Sequence, residues 1–427
     1  MRIAITGATG YIGQTLSSLA RKRGHAVVAL SRHKLDSLED HWIPFDLSST
    51  KHLELPSGTG AVIHLAANTS NDSALNENSE TMAAQRLNNA ANNIGAKFIF
   101  VSSQTASPTA PTPYGRTKWR IEQEVISAGG WAVRPGLVYG GKLSGLFGTL
   151  VGAVKRLPLL PAFLPAPKIQ PIHVDDLAEG LLRIAERSDL DPGVFSLGPP
   201  EPVSFSTFLG EIAISRLRVF RGFAPVPVMA INALAGILGE PLGTRLGLAR
   251  MQSLFKLPVM DTASDLERIG LTLRPLHSGM TPSGDDRRRR LLLEGRAMLA
   301  YLLKDAPSSA LLRRYTRAIE RLRGGQALDL PQIFLSYPIF MSLIDHSSWS
   351  AQADGTEFSW RLDAATVLAE ATPSGANRFL DIGHERGSLG SLLSITVAVT
   401  LEAFWRILKV VFSPFVRLAI SHSGRAL

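Results

Sequence analysis

The stretch MRIAITGATGYIG (residues 1–13) decides the fold of this chain. Its mostly apolar residues 2–6 predict a β-strand, and residues 11–23 have the pattern of a helix that ends at Gly24. Three glycines, each separated from the next by two intervening residues, lie between and within these elements: Gly7, Gly10 and Gly13. A strand, a glycine-rich turn and a helix in this order are typical of a βα unit that binds a dinucleotide.

Each glycine of this motif has a separate physical task. Gly7 allows the tight turn, Gly10 lets the backbone approach a pyrophosphate, and Gly13 lets the helix pack closely on the strand. The start of the helix adds free N–H groups and a partial positive charge. We therefore expect the loop to hold the cofactor through Gly7, Thr9, Gly10, Tyr11, Ile12 and Gly13. The alternative is a glycine-rich turn that binds nothing.

A tyrosine and a lysine further along the chain point to catalysis. Tyr114 and Lys118 stand four residues apart in PTPYGRTKWRIEQEV, and Pro113 precedes a helical pattern, so both side chains share one helix face. Tyrosine is a poor base because its ordinary pKa is about 10. A nearby ammonium group stabilises the phenolate. The pair could thus exchange a proton with a substrate hydroxyl while a cofactor exchanges the hydride.

The motifs and their order resemble those of the short-chain dehydrogenase/reductase superfamily, in its extended or atypical branch of epimerase- and dehydratase-like members. The resemblance covers about residues 1–280 and rests on these segments in this order: TGATGYIG, VSS, YGRTK, VRPGLVYG and IHVDDLA. It implies an α/β fold with a Rossmann-type, doubly wound parallel sheet. Alternating strand and helix patterns from residue 2 to about 140 also predict such a sheet.

The resemblance also implies roles for individual residues. Tyr114 would be the acid/base, Lys118 would lower its pKa and hold the nicotinamide ribose, and Ser103 would bond the reacting oxygen, with Ser102 as the competing choice. Pro135 and Val138 would lie beside the nicotinamide. The adjacent Asp175 and Asp176 match a structural motif, and we expect no catalytic role for them.

Three departures from the family pattern bear on the chemistry. Family members that dehydrate sugar nucleotides carry an acidic pair after the active serine or threonine, whereas this chain has Gln104 and Thr105, which argues against dehydration. The asparagine usual in the preceding helix is replaced near its place by Glu80 or Asn78. A proline-rich loop, SPTAPTP, replaces the usual aromatic residue after the serine.

The end of the second predicted strand favours NADP(H) over NAD(H). An acidic residue there would bind the ribose 2′-hydroxyl of NAD, but this chain has Ser31 and Arg32, and an arginine accommodates a 2′-phosphate. The alternative is an ordinary solvated basic turn. By the resemblance, the adenine would lie near Asp46 and Leu47, and the cofactor would pass over Ala66 and Ala67. His64, in the same strand as these alanines, is expected to be a core residue.

The composition limits the class of protein. The chain has 427 residues, 45% of them hydrophobic, and no cysteine, which excludes disulfides, thiolate catalysis and cysteine-based metal sites. No spacing of His, Asp and Glu suggests a metal. Because Met1 leads directly into the first strand, we expect no signal peptide and a cytoplasmic start. The extension described below would place the protein at the inner face of a membrane.

We predict three regions. Residues 1–140 and 168–198 form the NAD(P)-binding domain, residues 141–167 and 199–282 a smaller substrate lobe, and residues 283–427 a mainly helical extension. The lobe sequence is rich in Leu, Pro, Phe and Ala and poor in polar groups. It therefore favours an apolar substrate, such as a lipid, quinone or terpenoid, unless these residues are simply core.

The extension is basic at its start and apolar at its end. Residues 285–323 contain 11 Lys or Arg and five Asp or Glu, which accounts for six of the chain's nine net positive charges. They predict a basic helical hairpin, which could lie on anionic lipid, meet an acidic partner or be a solvated face. Nucleic acid is not expected, because aromatic residues are not interleaved with the charges. Residues 387–420 fit an interfacial segment, a buried helix or a membrane span.

Two classes of function follow. The first is an NADP(H)-dependent oxidoreductase that acts on a carbonyl or alcohol of an apolar substrate. The second is a non-catalytic nucleotide-binding protein of a membrane complex, similar to the accessory subunit of respiratory complex I. The retained Tyr114 and Lys118 favour the enzyme, and the extension favours docking to a membrane or a membrane complex. Sugar-nucleotide epimerisation is a third option.

Overall fold

A computed structural model gives the structure of the protein. It describes residues 1–34, 42–67, 73–229, 254–255, 257–281, 285–345, 353–379 and 388–421. The chain divides into two compact units, one made of Met1–Ile212 with Arg221–Met280, and the other of Ala213–Phe220 with Thr281–Leu427. The division of the first unit into a nucleotide-binding domain and a substrate lobe stays a prediction.

The first unit contains a seven-stranded sheet in the order β11-β6-β5-β4-β1-β2-β3, with every neighbouring pair parallel. The described strands are β1 (Arg2–Thr6), β2 (Ala26–Ser31), β3 (Trp42–Pro44), β4 (Thr59–His64), β5 (Lys97–Val101), β6 (Trp131–Pro135), β7 (Val138–Tyr139), β8 (Leu159–Leu164), β9 (Lys168–Ile169), β10 (Ile172–His173), β11 (Gly193–Leu197), β12 (Val203–Ser204) and β13 (Gly222–Pro227). The strand order reverses at β1, so a crevice opens beyond the carboxyl ends of β1 and β4. The predicted Rossmann-type α/β fold is confirmed.

Helices cover both faces of this sheet. The described helices of the first unit are α1 (Tyr11–Lys22), α2 (Ser73–Asn93), α3 (Pro113–Ser127), α4 (Gly145–Arg156), α5 (Val174–Glu186), α6 (Phe205–Glu211), α7 (Ala263–Ile269) and α8 (Leu276–Met280). Successive strand residues point to opposite faces. Ile3 and Ile5 therefore share one core with α1 and α5, whereas Ala4 shares the other with α2 and α3. Both faces of β1 are buried, as a doubly wound sheet requires.

The two adjacent aspartates at the start of α5 have the structural role that their motif suggested. Asp176 accepts hydrogen bonds from the backbone N–H of Arg274 at 3.0 Å and from its Nε at 2.8 Å. Asp175 lies 3.2 Å from Nη1 of the same arginine. The pair thus joins α5 to a segment about 100 residues later in the chain.

The second unit is helical around its own core. Its described helices are α9 (Asp285–Leu303), α10 (Ser309–Leu322), α11 (Gln332–Ser336), α12 (Ala353–Glu370), α13 (Pro373–Phe379) and α14 (Ser388–Ser421), with a 3₁₀-helix at Pro338–Leu343. Ser308 caps α10 by accepting a bond from the N–H of Leu311 at 3.2 Å. Leu311, Tyr315 and Ile319 are buried on one stripe of α10. Leu322, which continues this spacing at the end of the helix, is exposed.

A buried carboxylate organises the core of this unit. Glu294 on α9 accepts bonds from the N–H groups of Leu328 at 2.6 Å and Leu330 at 3.0 Å, and it pairs with Arg290 at 3.5 Å. Burial raises the pKa of Glu294, while the charge of Arg290 opposes that rise. The carboxylate ties the chain after α10 back to α9, because it satisfies two backbone donors that would otherwise be orphaned.

The helix α14 contains most of the apolar tail. The described side chains from Leu392 to Phe404 are exposed, so the alternative of a helix buried in its own chain is wrong for this segment. Among the residues that the structure describes, no helix combines the length and the apolar character needed to cross a membrane.

Two glycines on helices of the first unit give a paired test of the packing. A Cβ on Gly13 would lie 2.1 Å from the carbonyl oxygen of Gly7, whereas a Cβ on Gly152, inside α4, would meet nothing within 4 Å. We expect Gly13→Ala to destabilise the unit by about 1–3 kcal/mol, because backbone atoms must move. Gly152→Ala should stabilise it by about 0.5–1 kcal/mol, because alanine loses less entropy in a helix. Calorimetry of the two variants measures both; equal melting temperatures would contradict the close approach at Gly13.

Candidate active site

The glycine loop turns where β1 ends. Gly7 has φ +65°, a conformation that favours glycine, and its N–H donates to the carbonyl of Leu30 at 3.2 Å. A Cβ on Gly7 would lie 3.2 Å from the backbone nitrogen of Ala66. The N–H of Gly10 donates to the carbonyl of Gly7 at 2.9 Å. The loop therefore runs against the segment that follows β4, which the sequence analysis placed beneath the cofactor.

The hydroxyl of Thr6 holds that segment in place. Its Oγ1 accepts bonds from the N–H groups of Leu65 at 3.0 Å and Ala66 at 3.1 Å, and lies 2.7 Å from Nδ1 of His64. A hydroxyl has one hydrogen, and with both acceptor positions used it must donate that hydrogen to Nδ1. His64 is consequently neutral, with its ring proton on Nε2.

His64 belongs to the core, as expected. Phe45, Phe98 and Phe100 place their ring centroids 5.7–6.4 Å from the imidazole. Burial lowers the pKa of His64 to about 3, and the positive charge of Lys118 contributes. The ring is a fixed hydrogen-bond acceptor beneath the crevice and is unsuited to proton transfer at neutral pH.

The start of α1 offers an anion site. Gly10 is its N-cap residue, and no side chain caps the first turn. A cavity of about 170 Å³ opens there, lined by Thr9, Gly10, Tyr11, Gln14, Thr15, Lys142 and Ser144. The hydroxyl of Tyr11 donates to the carbonyl of Gly140 at 2.6 Å, which fixes one wall. Small residues, a helix N-terminus and an ammonium group at one cavity fit a dinucleotide pyrophosphate. Ile12 and Gly13 continue this first turn.

The residues expected around the adenosine lie at the far end of β2. Arg32 is exposed, and Ser31 bonds the carbonyl of His33 at 2.8 Å while accepting from Nε1 of Trp42 at 3.1 Å. Asp46 accepts from the N–H and hydroxyl of Ser48 at 2.8 and 2.7 Å, and these bonds lower its pKa. Arg32 and Arg86 lower it further through their charges. Leu47 follows Asp46 and is partly buried.

Sequence reasoning missed Arg86 of α2. Its guanidinium donates to the carbonyls of Lys51 at 3.0 Å and Asp46 at 3.2 Å. It therefore fixes the Asp46 loop to α2. Nothing local in the sequence marks this arginine, because its partners precede it by 35 and 40 residues.

The structure brings Tyr114, Lys118 and Ser103 together, at the carboxyl end of β5 and the beginning of α3. The hydroxyl of Ser103 is hydrogen-bonded to Tyr114 and lies 2.9 Å from Oγ1 of Thr105. Nζ of Lys118 donates to the carbonyl of Val101 at 3.0 Å and lies 5.7 Å from the centre of the Tyr114 ring. The predicted helix is present as α3, which begins at Pro113 itself and is capped by Thr112.

Burial shifts the pKa values of the pair in opposite directions. Desolvation raises the pKa of Tyr114 to about 12, the negative charge of Glu80 adds to the rise, and the bond with Ser103 opposes it. The tyrosine is still 40% exposed as a residue, so solvent reaches part of it. Desolvation lowers the pKa of Lys118 to about 8, and Glu80 opposes that change. The buried Glu80 therefore acts electrostatically on both groups.

Ser102 has a different task from its neighbour. Its hydroxyl donates to Glu122 at 2.7 Å, and the same buried carboxylate takes two bonds from Arg134, at 2.8 and 2.5 Å. This occupied hydroxyl makes Ser102 the weaker candidate for bonding a substrate. The sequence analysis did not find the Glu122–Arg134 pair, which joins α3 to β6.

Gln104 is directed away from the tyrosine. Its amide donates to the carbonyl of Pro258 at 2.9 Å and to Oε1 of Gln170 at 3.3 Å. Gln170 in turn donates to the carbonyl of Met260 at 2.9 Å and accepts from the N–H of that residue at 2.8 Å. The position that is acidic in dehydrating relatives is thus a structural link.

The segment predicted beside the nicotinamide follows β6. Pro135 is buried and Val138 is partly buried. Between them, a Cβ on Gly136 would lie 1.7 Å from the carbonyl oxygen of Gln170, so the two backbones touch there. Ala66 and Ala67 are partly buried after β4. A larger cavity of about 560 Å³, between α2 and α3, includes none of these residues.

Residues 1–215 match the family model described as the RmlD substrate binding domain. Among curated relatives, an uncharacterised protein of Mycobacterium tuberculosis is 27% identical over 63% of this chain. The mitochondrial NADH dehydrogenase [ubiquinone] 1 alpha subcomplex subunit 9 of Dictyostelium discoideum is 28% identical over 49%, and dTDP-4-dehydrorhamnose reductase of Mycolicibacterium smegmatis is 27% identical over 45%. The chain spans 28% of the length of the first relative and 62% of each of the others.

Solved structures share the fold at low sequence identity. MoeE5 in complex with UDP-glucuronic acid and NAD aligns with a TM-score of 0.52 and 20% identity, over 66% of this chain and 96% of its own. The protein gox2253 aligns with a TM-score of 0.53 and 20% identity, over 65% and 95%. At this identity, both likenesses show the fold alone.

Substitution of Thr6 tests its hydroxyl network. In Thr6→Val, which keeps the shape, the N–H groups of Leu65 and Ala66 lose their acceptor, so we expect a loss of about 2–4 kcal/mol. Nucleotide binding should weaken several-fold, because Ala66 packs on Gly7. Thr6→Ser keeps the hydroxyl and is the matched control. The measurement is the unfolding temperature by calorimetry, with and without NADPH. The relevant transition is the one whose temperature rises when NADPH is added. A valine variant as stable as the serine variant would show that the network is dispensable.

Proposed function

The chain belongs to the RmlD substrate binding domain family, and from that premise we propose that it is an NADP(H)-dependent oxidoreductase acting on a carbonyl or alcohol of an apolar substrate. The observation that carries the proposal is the grouping of Tyr114, Ser103 and Lys118 near the end of β5. This strand belongs to the same sheet as β1, which the glycine loop follows. Family membership supports NAD(P)-dependent reductase or epimerase chemistry. The cofactor preference and the substrate class are our own inferences.

The residues at the site have complementary roles in this proposal. The nicotinamide cofactor, when bound, supplies or accepts the hydride. Ser103 orients the substrate oxygen, and Tyr114 donates a proton to that oxygen or removes one from it. The raised pKa of Tyr114 keeps the phenol protonated at neutral pH, which suits donation to a carbonyl.

Lys118 would stabilise the phenolate form of Tyr114. Its ammonium group lies 5.7 Å from the tyrosine ring, close enough to stabilise a phenolate electrostatically. Because its pKa is about 8, the lysine remains mainly charged at neutral pH. Its described hydrogen bond to Val101 holds it beneath the tyrosine, and its remaining protons are available for ribose hydroxyls.

The described part of the predicted substrate lobe supports an apolar substrate. The parallel strands β8 and β13 leave Leu159, Leu164 and Phe223 exposed, at 59%, 54% and 43%. Exposed apolar side chains on these paired strands favour a ligand with little polarity. Residues 230–253, which the sequence analysis also assigned to this lobe, lie outside the described residues.

Two alternatives have specific support. The similarity to dTDP-4-dehydrorhamnose reductase and the match of the family model favour a nucleotide sugar as substrate, with reduction or epimerisation as the chemistry. The similarity to a subunit of mitochondrial NADH dehydrogenase favours a nucleotide-binding role without catalysis. One assay separates the three candidates, namely oxidation of NADPH with 2-decanone, decylubiquinone or a dTDP-4-keto sugar.

Tyr114→Phe tests the catalytic assignment. The variant lacks the proton donor but keeps the ring, so we expect turnover to fall about 10²–10⁴-fold. The dissociation constant of NADPH should change little, because the glycine loop and Lys118 are intact. Thr112→Ser, which conserves the helix cap, is a control that should retain activity. A phenylalanine variant with wild-type turnover would refute the role of the hydroxyl, and an absence of turnover with every substrate would favour the non-catalytic candidate.

Arg32→Ala tests the cofactor preference. Loss of a charge-assisted contact to the 2′-phosphate should cost about 1.5–3 kcal/mol of NADPH affinity and leave NADH affinity unchanged. The preference for NADPH should then fall by about 10- to 100-fold in calorimetric titrations. Lys34→Ala removes one positive charge from the same loop and is the control for general electrostatics. Equal wild-type affinities for the two nucleotides would contradict the prediction.

A further inference from the structure

We propose that the helix α14 inserts into one leaflet of an anionic lipid bilayer and that an arginine face on α10 assists it electrostatically. The proposal concerns the second unit and does not depend on the reaction proposed for the first. It extends the expectation that the extension meets a membrane by naming the inserting segment, its depth and the lipid charge.

The first observation is apolar exposure around the whole helix. We call residues 392–404 the apolar segment. At 3.6 residues per turn, Leu392, Ile395 and Val399 lie on one face, and Val397 and Leu401 lie on the opposite face. All five are at least half exposed. A partner helix would cover one stripe, whereas a helix that is apolar all round requires an enclosing apolar medium.

Three described polar side chains of the apolar segment bond within the helix. The hydroxyl of Thr396 donates to the carbonyl of Leu392 at 2.8 Å, and that of Thr400 donates to the carbonyl of Thr396 at 2.7 Å. The one carboxylate, Glu402, pairs with Arg406 at 3.0 Å. Internally satisfied polar groups lower the cost of leaving water, which makes the helix compatible with a lipid environment.

The geometry of the helix limits how deep it inserts. The apolar segment has 13 residues and is about 20 Å long at 1.5 Å per residue, short of the roughly 30 Å hydrocarbon core. The helix is held to its unit just after this segment, where the Trp405 ring lies 6.4 Å from the Phe340 ring and Lys409 donates to the carbonyl of Asp345 at 3.2 Å. Trp405, Arg406 and Lys409 are side chains suited to the headgroup level. Insertion from one side therefore fits better than a span.

The second observation is a face of unpaired cations on α10, which we call the arginine face. It consists of Arg313, Arg314, Arg317 and Arg321, all exposed and within an arc of about 100°. Among the described residues, none of the four has an acidic partner within ion-pair distance. Like charges one turn apart repel, so this face favours a partner that carries negative charge. Anionic lipid headgroups supply it, at about 1 kcal/mol per basic residue.

Co-sedimentation of the full-length protein with vesicles tests the proposal. The vesicles contain either phosphatidylcholine alone or phosphatidylcholine with one third phosphatidylglycerol. We expect binding to the anionic vesicles at low salt, weaker binding to the neutral ones, and partial retention at high salt, because screening weakens only the electrostatic part. Failure to bind anionic vesicles at low salt would overturn the proposal.

Two sets of variants separate insertion from attraction. Ile395→Glu with Val399→Glu places charges in the apolar segment and should lower vesicle binding about 100-fold. Val367→Glu, at an equally exposed apolar position on α12, is the matched control and should bind normally. Glutamine at the four positions of the arginine face should lower binding at least about tenfold at low salt and abolish its salt dependence, whereas lysine should preserve both.

The remaining outcomes decide between lipid and protein as the occupant. If Ile395→Glu with Val399→Glu binds vesicles like the wild type, insertion of α14 is wrong. If the wild-type protein instead self-associates without lipid, and this substitution abolishes that association, the helix pairs with a second copy of the chain and the lipid proposal fails. Light scattering in the absence of vesicles provides this measurement.

Discussion

The nucleotide crevice depends on one hydroxyl, that of Thr6. It uses its single hydrogen on His64 and both acceptor positions on the N–H groups that follow β4. These bonds set the direction of the chain as it leaves β4, next to β1, where the strand order reverses. The glycine loop then fits against Ala66 because Gly7 has no side chain. A serine or threonine can supply this arrangement, since it needs a donor and a double acceptor in one small group.

Local signals explain how much of this site the sequence predicts. The glycine spacing and the i,i+4 Tyr114–Lys118 pair each involve residues within one turn or one loop, so their geometry follows from the chain itself. The buried Glu122–Arg134 pair and the link from Gln104 to Met260 could not be predicted in this way. Their partners meet only after the sheet has formed, and many polar residues could have satisfied the same local pattern. The sequence therefore predicts the reacting groups better than the groups that hold them.

The electrostatics of the site follow from its burial. Tyr114 and Lys118 share a desolvated corner that favours the neutral form of each, so the pKa of the phenol rises and that of the ammonium falls. Glu80 moderates this effect at the lysine and strengthens it at the tyrosine. A protonated phenol beside a charged lysine is the state expected at neutral pH. The phenol then carries the proton that donation needs, whereas proton removal by the phenolate requires additional positive charge near the oxygen.

The second unit shows why hydropathy leaves alternatives open. An apolar run in a sequence reports what must be covered but not which molecule covers it. Apolar residues occur in the buried stripe of α10, where Leu311, Tyr315 and Ile319 pack in their own unit, and in α14, where the described side chains from Leu392 to Phe404 are exposed. The structure distinguishes the two helices by the exposure of their apolar side chains. It also shows that Thr396, Thr400 and Glu402 bond within α14, which composition alone does not reveal. A helix whose described apolar side chains are exposed, and whose described polar side chains bond within the helix, fits the insertion that we propose.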